Sequence, residues 1–123
     1  MSYLNEADLD QYRQRLLAYK EELEQEIHDK LVKEGTDESI SLAGKVHDAQ
    51  AESMSVALSQ VNRGMLKMHL HDMKDLEMAL ERIESGEYGT CIDCEEPIAK
   101  ARLDAYPMAK RCIKCQSLHE EGK

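Results

Sequence analysis

Two Cys-x-x-Cys pairs set close together constrain this chain more than any other feature. Cys91 and Cys94 form the first pair and Cys112 and Cys115 the second, and these four are all the cysteines in the chain. Each pair brings two thiolates to neighbouring vertices of a tetrahedron, and two such pairs complete a closed Zn2+ site. Two disulfides, or a thioredoxin-like redox pair, are the competing readings. Disulfides need an oxidising compartment, and nothing in the sequence suggests export. A redox motif needs only one pair, preferably at the head of a helix. Four thiolates also leave the metal no open position for water, which argues against hydrolysis. The expectation is one structural Zn2+ per chain on Cys91, Cys94, Cys112 and Cys115, in a protein that is not an enzyme.

The chain has 123 residues, enough for one domain with one appendage. It contains five Tyr but no Phe or Trp, so a large globular core would be hard to build. One third of the residues are charged, a composition suited to long paired helices. The net charge is −9 with pI near 5.0. Phosphate-backbone affinity comes from clustered Lys and Arg, so this balance argues against DNA binding and favours a partner with a basic surface. The start, MSYLNEADLDQYRQRLL, lacks the basic and apolar regions of a signal peptide. No apolar run is long enough to span a membrane. The expected address is a reducing cytoplasm.

Helical periodicity dominates the first two thirds. Asn5 or Asp8 can cap a first helix from about Glu6 to Glu34. Its apolar stripe is Leu9, Tyr12, Leu16, Tyr19, Leu23, Ile27 and Leu31, with Gly35 as C-cap. Residues 35–45, GTDESISLAGK, read as a break. A second helix is expected from about Val46 to Ser85, striped by Met54, Leu58, Val61, Met65, His69, Met73, Leu76, Leu80 and Ile83. Neither helix can hide its stripe alone, so the expected fold is mainly α: a long antiparallel two-helix hairpin, or coiled coil, followed by a small four-cysteine zinc finger and a short C-terminal helix. The boundaries are 1–85 for the hairpin, with its tip around 35–50, and 86–123 for the finger module.

Other residues carry weaker signals. His69 lies on the apolar stripe and reads as a seam histidine. His69 and His71 point to different sides of a helix, which disfavours a joint metal site. His119 could replace a thiolate, but four cysteines are already present. Met54, Met65, Met68 and Met73 read as seam filling rather than a promiscuous groove. Arg102, Lys110, Arg111 and Lys114 make the finger locally basic, either to steady thiolate charge or to face a partner. Leu103 and Ile113 are its expected large apolar residues.

The segment from Gly86 through Tyr88, Gly89, Cys91, Cys94, Ile98, Arg102, Leu103, Ala105, Pro107, Cys112 and Cys115 closely resembles the zinc-finger signature of the DksA/TraR family. A long helical hairpin before the finger is also that family's layout. The resemblance implies a bacterial transcription regulator that binds RNA polymerase directly through its secondary channel and modulates initiation without contacting DNA. The family's acidic tip motif, Asp-x-x-Asp-x-Ala, falls on Asp48 to Ser53. Asp48 keeps the first acid, Ala51 replaces the second, and Glu52 supplies a carboxylate next door. The implied tip residues acting on polymerase are therefore Asp48 and Glu52, with Asp48 equally suited to N-capping the second helix. The positions matching the family's guanosine tetraphosphate site are Met68, Asp75, Tyr106 and Gln116; none is cationic, so the resemblance does not extend to that nucleotide. A monomer is expected. The alternatives are a zinc-stabilised helical interaction module with another partner, or a redox- or zinc-responsive switch.

Overall fold

The computed structural model describes residues 3–48, 50, 53–54 and 64–121, with side chains from residue 67 onward in the last span. Among the described residues its helices include α1 (Glu6–Glu34), α2 (Asp37–Ala43), α3 (Gly64–Ser85), α4 (Lys100–Ala105) and α5 (Ile113–Glu121), and Ser53 and Met54 are also helical. Among the described residues the only β-pairing is an isolated antiparallel bridge between Thr90 and Pro97. The chain is mainly α-helical, as its periodicity demands.

Local chemistry explains where α1 starts and stops. Asn5 Oδ1 accepts from the Asp8 N–H at 2.8 Å, and Asp8 Oδ2 accepts from the Asn5 N–H at 3.4 Å. This reciprocal pair satisfies donors that the first turn leaves open, so Asn5 is the cap and Asp8 its partner. At the other end Gly35 adopts φ +78°, and its N–H bonds to Leu31 O. Glycine takes that left-handed conformation without a Cβ clash.

Residues 35–45 are not simply a break. Thr36 Oγ1 accepts from the Ser39 N–H at 3.0 Å, and Ser39 Oγ accepts from the Thr36 N–H at 3.0 Å. That capping box nucleates α2 inside the Gly/Ser/Thr-rich stretch, with Ser39 fully buried. The expectation of a helix starting at Val46 fails for a related reason. Backbone bonds continue from α2 as tight turns: Lys45 N–H to Leu42 O, Val46 N–H to Ala43 O, and Asp48 N–H to Lys45 O. Asp48 sits exposed in a turn; Ala49 and Ala51, in the first turn of any helix it would cap, lie outside the described residues. Among the described residues, Met54 N–H then bonds to Gln50 O. Glu52 and Ala51, and the stripe positions Leu58 and Val61 with the side chain of Met65, lie outside the described residues.

The chain divides into two compact units, Met1–Leu16 with Met78–Lys123, and Leu17–Glu77. In the Leu17–Glu77 unit the buried apolar residues are Leu23, Ile27 and Leu31 of α1, Leu70, Met73 and Leu76 of α3, and Ala43, Val46 and Met54 between them. Glu26 faces His69 at 3.5 Å, and Asp72 acts on the Tyr19 phenol, so the two helices pair antiparallel there. His69 is the half-buried seam residue its position implies. The other unit buries Leu4, Tyr12, Leu16, Ala79 and Ile83 together with finger residues. Leu80, placed on the stripe by spacing, is only half-buried, and Ala79 takes the inward place.

The buried face of α1 supplies a direct test. Ile27 is 0% exposed and Val32 48% exposed. Ile27→Ala should destabilise the zinc-loaded protein by about 2–5 kcal/mol in urea unfolding, whereas Val32→Ala should change it by about 0.5 kcal/mol or less. Equal effects would show that α1 buries a different face.

Candidate metal centre

The finger begins where α3 is forced to stop. Gly86 adopts φ +82°, its N–H returns to Ile83 O, and the N–H groups of Glu87 and Tyr88 both return to Arg82 O. Arg82 Nη2 then donates to Glu87 O at 2.9 Å and to Thr90 O, tying the exit loop to the last turn of α3. Spacing arguments pass over Arg82, although a cation in a helix's last turn is the available signal. Gly89, at φ +90°, swings the chain toward the first cysteine.

Each cysteine pair sits in a tight turn. In the first, Cys91 N–H bonds to Glu96 O at 2.8 Å, Glu95 N–H bonds to Cys91 O at 3.0 Å, and Glu95 adopts φ 64°. In the second, Cys112 precedes α5, and Cys115 lies in its first turn, where Gln116 N–H bonds to Cys112 O. Ile92 N–H reaches Lys110 O at 2.9 Å and stitches the turns together. Arg111 Nε donates to Asp93 Oδ2 at 2.7 Å, and Arg102 Nε to Arg111 O at 2.9 Å. Arg102 and Arg111, expected to steady thiolates or face a partner, are thus bound into the finger's own frame. Lys114 remains exposed.

The four Sγ atoms lie within 4.8 Å of one another, and all four cysteines are free thiols. Cys94 and Cys112 are 3.8 Å apart at sulfur. A disulfide would need about 2.05 Å. A tetrahedral zinc with bonds of about 2.3 Å has sulfur–sulfur edges of about 3.8 Å. The donor set therefore fits Zn2+ and not two disulfides. Backbone donors support the charge: Asp93 N–H points to Cys91 Sγ and Cys115 N–H to Cys112 Sγ, each at 3.4 Å. Burial would raise the Cys91 thiol, but backbone hydrogen bonds from Cys94, Cys112 and Asp93 outweigh it and bring it down to about 6. Burial, and then the neighbouring thiols, push Cys115 up to about 12. Sulfurs this close cannot all hold negative charge alone; a dication removes the conflict. His119 is exposed and takes no place in the cluster.

The finger's apolar support differs from expectation. Leu103 is fully buried, but Ile113 is 63% exposed. Tyr88, Ile98, Met108 and Ala109 are buried instead. Three tyrosines join the finger to the start of α1. Tyr12 donates to Asp104 Oδ1, and its ring lies 5.5 Å from that of Tyr88 at a tilt of 44°. Tyr88 OH donates to Pro107 O at 2.7 Å, and Tyr3 OH to Ile98 O. Burial, and for Tyr12 also the bond to Asp104, hold both the Tyr12 and Tyr88 phenols well above their usual range, so both stay protonated donors. Arg15 Nη2 reaches Asp104 O at 2.8 Å, and Lys100 pairs with Asp8 at 3.7 Å. Helical spacing marks Tyr12 only as a stripe residue; its hydroxyl partner lies ninety-two residues away and leaves no local signal.

Comparison with known proteins agrees with this geometry. Residues 86–121 match the model of the prokaryotic dksA/traR C4-type zinc finger. The RNA polymerase-binding transcription factor DksA of Caulobacter vibrioides (strain NA1000 / CB15N) is 32% identical over 96% of this chain and 80% of its own length. The protein of the same name from Escherichia coli (strain K12) is also 32% identical, over 96% of this chain and 75% of its own. Among solved structures, transcription factor DksA2 from Pseudomonas aeruginosa superposes with a TM-score of 0.63 at 26% identity, covering 97% of this chain and 88% of that one. A C4-type finger with a structural zinc ion, joined to helices that match along nearly the whole chain, makes this protein a member of the DksA/TraR family.

Proposed function

We propose that this protein is a bacterial transcription regulator that binds RNA polymerase directly and modulates initiation from its secondary channel. The observation that carries the reading is similarity along nearly the whole chain: relatives named RNA polymerase-binding transcription factors match 96% of it, not the finger alone. A finger shared by itself would be compatible with many partners. In this reading Cys91, Cys94, Cys112 and Cys115 hold one structural Zn2+, which anchors the finger and, through Tyr3, Tyr12 and Tyr88, the start of α1. The metal has no position left for substrate, so the chemistry belongs to the partner enzyme.

The part that acts on polymerase is the region around Asp48, assisted by Glu52. An exposed carboxylate there would perturb basic groups or Mg2+ near the polymerase active centre. DNA is not a ligand in this reading, since the net charge of −9 opposes phosphate contacts. Guanosine tetraphosphate is not expected to bind at the positions used by the family. Met68 is 71% exposed and uncharged, buried Asp75 lies 3.5 Å from His71, and the Gln116 amide donates to Glu120. The protein would work as a monomer in the bacterial cytoplasm.

Metal analysis of protein purified under reducing conditions should return about one zinc per chain, and Cys112→Ser should lose it. Chelation should collapse the NMR signals of residues 88–115 and shift those of Tyr3 and Tyr12, while Leu23, Ile27, Leu31, Met73 and Leu76 keep theirs. Recovery of two disulfides and no metal would refute the ligand assignment.

At physiological salt, duplex DNA binding should be weaker than about 10 μM, no better than ordinary non-specific affinity. A sub-micromolar affinity with a steep salt dependence would overturn the DNA-independent reading.

Asp48→Asn removes the charge but keeps the side-chain size. It should leave thermal stability and core polymerase affinity unchanged and abolish any effect on open-complex lifetime. Equal activity of Asp48→Asn and wild type would remove the carboxylate from the mechanism.

A further inference from the structure

Among the described residues of the Leu17–Glu77 unit, Glu24 is the most buried charged side chain, at 5% exposure. It follows Leu23 directly and precedes Ile27 by one helical turn, both of them core residues. Burying a carboxylate is unfavourable unless it is paired, and a well-packed apolar residue usually serves stability as well or better. Packing therefore gives no reason for a glutamate at this position. Its partners do. Glu24 Oε1 lies 3.0 Å from His47 Nδ1, and Glu24 Oε2 lies 4.0 Å from Lys20 Nζ. Lys20 is one turn back on the same helix; His47 arrives from the turn after α2.

That turn is the segment bearing Asp48. It extends from α2 by successive backbone bonds, and Val46 is 0% exposed beneath it. His47 comes next, then exposed Asp48, whose N–H bonds to Lys45 O at 3.1 Å. Val46 supplies burial, which is non-directional. Glu24–His47 supplies a directional hydrogen bond twenty-three residues across the sequence. We infer that Glu24 and His47 form a positioning latch, holding the Gly44–Asp48 turn against α1 and so setting where the Asp48 carboxylate stands. The functional half of this inference rests on the polymerase reading above; the latch itself does not. To donate to Glu24, His47 must carry a proton on Nδ1 whether its ring is neutral or charged. Glu24 therefore selects the tautomer as well as the position.

The test uses the whole 123-residue chain in its zinc-loaded form. Nitrogen NMR should find His47 protonated at Nδ1, and Glu24→Leu should abolish that signature. In the same variant, amide exchange at Val46–Asp48 should accelerate about tenfold or more, while the thermal midpoint does not fall. Glu24→Gln can still accept from Nδ1 and should retain both the tautomer and the slow exchange. In transcription assays Glu24→Leu should reproduce the loss expected for Asp48→Asn with unchanged polymerase affinity. An unaltered His47 signature and unaltered turn amides in Glu24→Leu would overturn the latch. So would faster exchange spread evenly over residues 17–48 with a lowered midpoint, which is what a merely structural Glu24 predicts. If the wild-type protein fails to bind polymerase, the proposed function fails, and the solution measurements still decide the latch.

Discussion

Four thiolates can share a space of a few ångströms only when a cation stands among them. The described geometry of the finger is arranged around that requirement. The turns at Cys91 and Cys112 aim the sulfurs inward, backbone N–H groups offset part of their charge, and the Arg111–Asp93 pair keeps the two turns together. A module with so few large apolar residues draws much of its folding energy from ligation. Its remaining support comes from aromatic contacts with the first turns of α1. Metal and helix thus hold one compact unit, in which the Tyr12 and Tyr88 rings meet at a tilt and Asp104 accepts from Tyr12.

The readability of this chain depends on how local each cause is. Cysteine spacing and the 3.6-residue stripe are local patterns, and the metal cluster, α1 with its glycine cap, and the buried face of α1 follow from them. The tyrosine contacts are not local. Tyr12 meets Asp104 across ninety-two residues, so its hydroxyl looks idle in sequence. Helix α2 escapes a reading by composition for another reason. Thr, Asp, Glu and Ser have the composition of a loop, yet Thr36 and Ser39 at that spacing form a capping box. Val46 looks like the start of a helix because it is apolar, but its backbone belongs to turns continuing from α2. Ile113 looks like a core residue by type alone, while its position at the start of α5 leaves it exposed.

The acidic balance and the family resemblance point in one direction. Helices with mixed charge and a net charge of −9 suit a protein surface with basic grooves rather than a duplex. Under the proposed reading, Ala51 stands where the resemblance implies a second acid, and Met68, Asp75, Tyr106 and Gln116 put no cation at the positions matched to a nucleotide site. In that reading Asp48 is the retained acid of the motif. Ala51 also makes the placement of that carboxylate matter more, because no second aspartate stands in register to compensate.

The central claim is that the region carrying Asp48 works inside RNA polymerase. It is tested most directly by placing a photo-crosslinking amino acid at exposed Gln50 of the zinc-loaded protein and mixing it with core polymerase. The account predicts crosslinks to polymerase segments lining the secondary channel near the active centre, lost when the four cysteines are replaced by serine. Crosslinks confined to the outer surface of polymerase, or no association at all by the zinc-loaded chain, would contradict it.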